Sequence, residues 1–172
     1  MTELYMNNED ISTLSYRVLS IIRGTTVDGP GFRTSIYLSG CSHNCQGCHN
    51  PQSWDPEAGI PMSLKEILDI VKEEDFDVTL TGGDPLFNPG KTKILINELK
   101  KNRRNVWIYT GFYWEEIISS EILISAIKNA DVVVEGRFIE SLRNLDLPFR
   151  GSSNQRIINI PLSLQKGYPV LY

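Results

Sequence analysis

Residues 34–48 read TSIYLSGCSHNCQGC, a short apolar, β-rich run, Thr34–Ser39, that breaks at Gly40 into a loop holding Cys41, Cys45 and Cys48, the chain's three cysteines. Residues 77–85, DVTLTGGDP, repeat the form: the run Asp77–Thr81 empties into Gly82, Gly83, Asp84 and Pro85. Further β-rich runs at Tyr16–Ile22, Asn105–Tyr109, Asp131–Glu135 and Arg156–Ile160 also read as strands. Between them lie helical patterns. Leu64, Ile67, Leu68 and Val71 repeat at helical spacing behind a Ser63 cap with Glu66 at the capping-box position, Lys91–Lys101 repeats the arrangement, and Trp114–Ser119 and Glu121–Asn129 supply more helix. Strand and helix in alternation predict an α/β fold, a partial (βα) barrel of mostly parallel strands, because a complete eight-fold barrel takes about 250 residues and this chain has 172. The informative loops then follow strand carboxyl ends, where parallel sheets place their ligands.

Composition narrows the function classes. Seventeen Lys and Arg against 21 Asp and Glu give a net charge of −4, which leaves no basic footprint for nucleic acid or an anionic membrane. Met1–Asp10 lacks the basic-then-apolar pattern of a secretory signal, and no run approaches the roughly 18 apolar residues of a membrane span. The expected location is the cytoplasm, and the expected organisation is an N-terminal extension over 1–14 followed by a single domain over 15–172. An odd, tightly clustered cysteine set points to a metal or redox centre and away from a disulfide framework.

Three soft thiolates at the spacing Cys41-x3-Cys45-x2-Cys48 suit zinc or an iron–sulfur cluster. Structural zinc takes four protein ligands, and His43 or His49 could complete a Cys3His site. A four-iron cluster held by three cysteines instead leaves one iron open to a small molecule. Three unliganded buried cysteines form a third alternative. Gly82 and Gly83 permit a close backbone approach to a ligand, and Pro85 restricts Asp84 before it; the bland reading of the same residues is a turn. Because Gly83 is remote in sequence from the thiolates, a branched residue there is expected to affect ligand binding and cluster assembly separately.

The cysteine spacing resembles the cluster motif of the radical S-adenosylmethionine (SAM) superfamily, and Gly82-Gly83-Asp84-Pro85 is similar to that superfamily's Gly-Gly-Glu-Pro motif. The resemblance implies a partial barrel of radical SAM type and a 4Fe-4S cluster on Cys41, Cys45 and Cys48, with SAM chelating the open iron. It implies SAM contacts from Gly47, Cys48 and His49 on the adenine side and from Gly82, Gly83 and Asp84 on the amino side. No side chain is then catalytic in itself, since the reactive species is a 5'-deoxyadenosyl radical derived from SAM. Gly47 occupies a position where many members carry an aromatic residue, so backbone or His49 would meet the adenine.

Further blocks narrow the resemblance. Val27-Asp28-Gly29-Pro30-Gly31-Phe32-Arg33 resembles the segment that precedes the cluster in glycyl-radical activases. Cys48-His49-Asn50-Pro51 leading to Trp54, Trp107–Gly111, Val134–Phe138 and Phe149–Arg156 resemble successive blocks of the activating proteins of anaerobic ribonucleoside-triphosphate reductase. Membership would imply two partners, the large subunit of that reductase and an external one-electron reductant such as flavodoxin. Two alternatives share the chemistry: an activase of another glycyl-radical enzyme such as pyruvate formate-lyase, and a small-molecule radical SAM enzyme. A plain iron–sulfur electron carrier or a zinc module would need no SAM. His49 stands where tyrosine is frequent, and Glu135 replaces a usual aspartate.

Each of these residues also has a plain structural reading. Asp28 makes a turn, and Arg33 pairs with a surface acid. Trp54, Trp107 and Trp114 pack. Glu135 and Arg137 form a salt bridge. Arg150, Ser152, Ser153 and Asn154 make a solvated turn, against which the resemblance favours partner binding or closure over the site.

Overall fold

The structure, a computed structural model, describes residues 12–172, so residues 1–11 of the expected N-terminal extension lie outside the described residues. Its strands are β1 (Ser15–Thr25), β2 (Arg33–Leu38), β3 (Ile60–Ser63), β4 (Asp77–Gly82), β5 (Val106–Thr110), β6 (Val132–Glu135) and β7 (Arg156–Asn159). They form one open seven-stranded sheet in the order β3-β1-β2-β4-β5-β6-β7. The helices are α1 (Leu64–Glu74), α2 (Pro89–Lys101), α3 (Trp114–Ser119), α4 (Glu121–Ile127) and α5 (Ile160–Lys166).

The parallel part of this mixed α/β sheet is its middle, β2-β4-β5-β6. Against the expectation of mostly parallel strands, β1 pairs antiparallel with both β2 and β3, and β7 pairs antiparallel with β6. For β1 and β2 the cause is connection length: a parallel return needs a crossover of a dozen or more residues, and only the turn at 26–32 joins them. β3 escapes a reading by pattern because it is short and contains Pro61. An edge strand tolerates proline since its outward N–H has no ladder partner to lose. Helix α5 was likewise not expected; it starts with Asn159 as cap and Pro161 in its first turn, directly after β7.

The predicted start of α1 is realised in full, with Ser63 and Glu66 exchanging side-chain and backbone hydrogen bonds. Its apolar stripe, Leu64, Ile67 and Val71, is buried, each side chain worth about 1.5–3 kcal/mol of transfer free energy.

The two-residue period of the central strands separates the sheet's faces. Val78, Leu80, Val106, Ile108 and Val133 point into the main core with α1 and α2. Trp107, Val132 and Val134 point the other way, where Tyr109, Phe149 and Ile157 pack on them. Thr79 and Thr81 alternate with Val78 and Leu80 and so belong to this second face, with Tyr37 beside Thr81 in register. One face is thus an apolar helix seat, while the other is aromatic and polar, and the loops at the carboxyl ends of β2, β4, β5 and β6 open over it.

Candidate active site

The cysteine loop begins where β2 ends, and its backbone is tied down at both sides. Gly40 N–H donates to Ser53 O (2.8 Å), Cys41 N–H to Trp54 O (3.2 Å) and Cys48 N–H to Cys45 O (3.1 Å). All three thiols are free and half-buried. Burial pushes the Cys41 thiol up, the His43 backbone amide acts against that rise, and charge on Asp84, Cys45 and Cys48 adds to it. A cationic centre at this loop would offset that rise. Asn50 N–H points at Cys48 Sγ (3.4 Å), the kind of amide that tunes a metal-bound sulfur.

The glycine loop after β4 is bonded directly to the cysteine loop. Gly83 N–H donates to Leu38 O (2.7 Å) and Asp84 N–H to Gly40 O (2.8 Å). Gly82 O receives Asn50 Nδ2 and Ser53 Oγ, each at 3.3 Å. A Cβ on Gly83 would stand 2.4 Å from Gly40 O and 2.8 Å from Ser53 O, so only glycine allows the two loops to lie this close. The expected independence of Gly83 from the thiolates is corrected here: residues remote in sequence share one backbone junction.

Asp84 is buried, 2% exposed, and both oxygens of its carboxylate accept hydrogen bonds. Oδ2 accepts from His43 Nε2 (2.6 Å), Thr110 Oγ1 (2.9 Å) and Gly111 N–H (3.0 Å), and Oδ1 accepts from Leu86 N–H (2.8 Å). The His43 ring packs edge-on against Phe112, with centroids 4.6 Å apart. Sequence reading had His43 only as a fourth zinc ligand; in the fold its side chain is spent on Asp84. Among the described residues no three or more His, Cys, Asp or Glu side chains are gathered to hold a metal ion, the three cysteines included. Three thiolates without a fourth protein ligand fit a cluster that keeps one iron open.

Beside the cysteine loop, on the aromatic face, lies a cleft of about 290 Å³ lined by Val27, Asp28, His49, Tyr109, Phe149 and Arg150 among others. His49 is exposed on its wall. Gly47 sits at the outer rim of the loop, against the Glu140 side chain. Asp28 Oδ2 accepts from the Tyr37 hydroxyl (2.7 Å), and burial pushes the Tyr109 phenol up, with the Asp28 charge adding to it. Tyr109 and Phe138, which also lines the cleft, were not singled out from sequence. The available signal was the aromatic content of the very blocks that carry the family resemblance.

Several plain readings resolve differently from expectation. Among the described residues Arg33 pairs with no surface acid. It is 1% exposed, donates to Thr79 Oγ1 (2.7 Å) and Val78 O (2.6 Å), and lies over the Trp107 ring. Glu135 and Arg137 do not pair, because the chain turns at Gly136 (φ 102°) between them. Glu135 meets Arg156, and Arg137 meets Glu116. Trp107 and Trp114 are buried packing residues. The Arg150–Asn154 segment is pinned, not solvated as a whole: Ser152 is fully buried, Asn154 Nδ2 donates to Arg137 O (2.8 Å), and Gln155 Oε1 accepts from Gly151 N–H (2.9 Å).

Residues 27–158 match the family profile described as a 4Fe-4S single cluster domain. Among curated relatives, the chain is 32% identical over 139 residues to the anaerobic ribonucleoside-triphosphate reductase-activating protein of Enterobacteria phage T4, covering 76% of this chain and 86% of that protein. It is 33% identical to the protein of the same name from Pasteurella multocida (76% and 89% covered) and 31% identical to that of Escherichia coli strain K12 (75% and 89%). In fold it is similar to QueE from Escherichia coli, with a TM-score of 0.54 and 16% identity, over 76% of this chain and 75% of that one.

Proposed function

The chain belongs to the anaerobic ribonucleoside-triphosphate reductase-activating protein family and carries its 4Fe-4S single cluster domain, and from that membership we propose that it generates a glycyl radical on such a reductase. The observation that carries this reading is the junction of the two loops. Cys41, Cys45 and Cys48 sit on a loop whose Gly40 carbonyl is hydrogen-bonded by the Asp84 amide of the glycine loop.

Cys41, Cys45 and Cys48 would hold the cluster. Gly82, Gly83 and Asp84, through backbone, and Gly47, Cys48 and His49, toward the adenine, would hold SAM. A cluster held there and reduced by an external donor would supply the one electron that cleaves SAM at its sulfonium, and with it the radical chemistry that removes a hydrogen atom from a glycine Cα. The protein's own part is placement: the cleft between His49, Tyr109 and Phe149 admits the target loop and keeps water from the reacting carbon. We read the sheet as a partial barrel opened on this side, residues 15–172 as one working domain, flavodoxin or a similar one-electron donor as reductant, and the cytoplasm as location. No helix among the described residues is long and apolar enough to cross a membrane.

The test is anaerobic reconstitution followed by a SAM-cleavage assay with and without the reductase. Cleavage with the reductase, accompanied by a glycine-centred paramagnetic doublet on it, supports the reading. Cleavage with small molecules alone and no doublet would move the small-molecule alternative ahead.

A further inference from the structure

We infer that His43 is a positioning residue: through its hydrogen bond to Asp84 it sets the spacing between the cluster-bearing loop and the SAM-binding glycine loop. The inference rests on the function proposed above and adds a role for His43 and for the Asp84 carboxylate.

A carboxylate offers about four acceptor sites. Those of Asp84 meet four donors of the chain itself, His43 Nε2, Thr110 Oγ1, Gly111 N–H and Leu86 N–H. Three of these donors crowd onto Oδ2 and one meets Oδ1, and with Asp84 only 2% exposed the acidic side chain of this motif works inward. Its four donors come from three places: the cysteine loop after β2, its own 3-10 turn after β4, and the end of β5 with the first residue beyond it. The Thr110 hydroxyl is itself held, since it accepts from Phe112 N–H (3.2 Å).

His43 is the only one of these donors that lies between two thiolates, two residues from Cys41 and two from Cys45. Its side chain is 5% exposed, wedged between Phe112 and Gly111. A Cβ on Gly111 would stand 2.4 Å from the imidazole Cδ2. The ring therefore cannot retreat, and the length of residue 84 decides where the cysteine loop rests. An aspartate fits the span; a glutamate, one methylene longer, would drive the imidazole into Gly111 or lift the loop. SAM must reach from the open iron to the Gly82–Gly83 backbone, so this spacing enters its binding directly, and outer contacts of this kind change metal-site affinity by about 10–100-fold.

The test compares the parent with His43→Phe, which keeps the ring packing and loses the donor, and His43→Gln, whose Nε2 amide can donate from a similar distance. Each protein is reconstituted anaerobically, its iron is counted, and SAM is titrated against the paramagnetic signal of the reduced cluster. The expected result is full iron in all three, SAM binding weakened about tenfold or more in His43→Phe, and binding near the parent's in His43→Gln. Unchanged SAM affinity in His43→Phe, or equal weakening in both variants, overturns the inference. So does loss of iron in His43→Phe, which would make His43 a cluster-assembly residue. A parent that builds its cluster yet gives no response to SAM overturns the proposed function together with this inference, whereas a responsive parent with an unaltered His43→Phe overturns this inference alone.

Discussion

Glu135, fully buried at the end of β6, is hydrogen-bonded by the guanidinium of Arg156, its register partner on β7. The second carboxylate oxygen accepts from Trp114 N–H (2.9 Å), which ties the pair to the first turn of α3. Arg156 also reaches exposed Glu115 (2.9 Å). Removing the cation strands a carboxylate in the core, which costs far more than losing a surface pair. Arg156→Leu should therefore lose about 2 kcal/mol or more, and Glu115→Gln no more than about 1 kcal/mol, by anaerobic denaturant unfolding. Equal losses would show that Glu135 is satisfied without Arg156.

Cluster loading follows from the thiolate count. Reconstituted parent should carry about four irons and four sulfides per chain, and Cys41→Ala, Cys45→Ala and Cys48→Ala should each abolish SAM cleavage. The check is iron and sulfide analysis beside the cleavage assay. A protein that holds one tight zinc and builds no cluster sinks the assignment.

Much of this was legible in the chain itself, because the deciding signals were local. Cysteine spacing, the Ser63–Glu66 capping box and the β-rich run Asp77–Thr81 each depend on neighbours in sequence. What escaped depends on neighbours in space. That β7 returns antiparallel goes with a connection from Gly136 to Gln155 that holds no α-helix, only one 3-10 turn at Glu140–Leu142. The partner of Glu135 is set by strand pairing, so Arg156 wins over the nearer Arg137. His43 looked like a ligand because it sits among the cysteines; only the fold brings Asp84 to its ring.

The junction at Gly83 gives a prediction opposite to the one drawn from sequence distance. Its missing Cβ would meet two carbonyl oxygens of fixed backbone, Gly40 O and Ser53 O, so the loops must part to accept even a methyl. Gly83→Ala should lower both iron retention and SAM affinity, each by about tenfold or more, whereas an effect on SAM alone would mean that the cysteine loop yields without disturbing its thiolates. Iron analysis and SAM titration on one preparation distinguish the outcomes.

The last prediction concerns the substrate. The cleft opens beside a lip, residues 139–145, on which Ile139, Leu142 and Leu145 are exposed by 36, 41 and 78%. Exposed apolar side chains beside an active cleft are the surface a protein substrate would cover. The same lip runs into the pinned Arg150–Asn154 segment, whose Arg150 lines the cleft, so one piece of chain would serve both partner contact and closure over the reacting carbon. Leu145→Asp leaves the core untouched and should reduce radical formation on the reductase about tenfold or more, as for a lost interface anchor, with SAM cleavage in the absence of reductase unchanged. Arg150→Ala should impair activation more than cluster assembly. With deuterium at the target glycine Cα, the label should appear in 5'-deoxyadenosine from the parent and fall in step with activation in both variants. If label transfer and the glycyl doublet are both absent while the cluster is reduced, SAM is bound and the complex with reductase has formed, the target is not a backbone glycine of that partner.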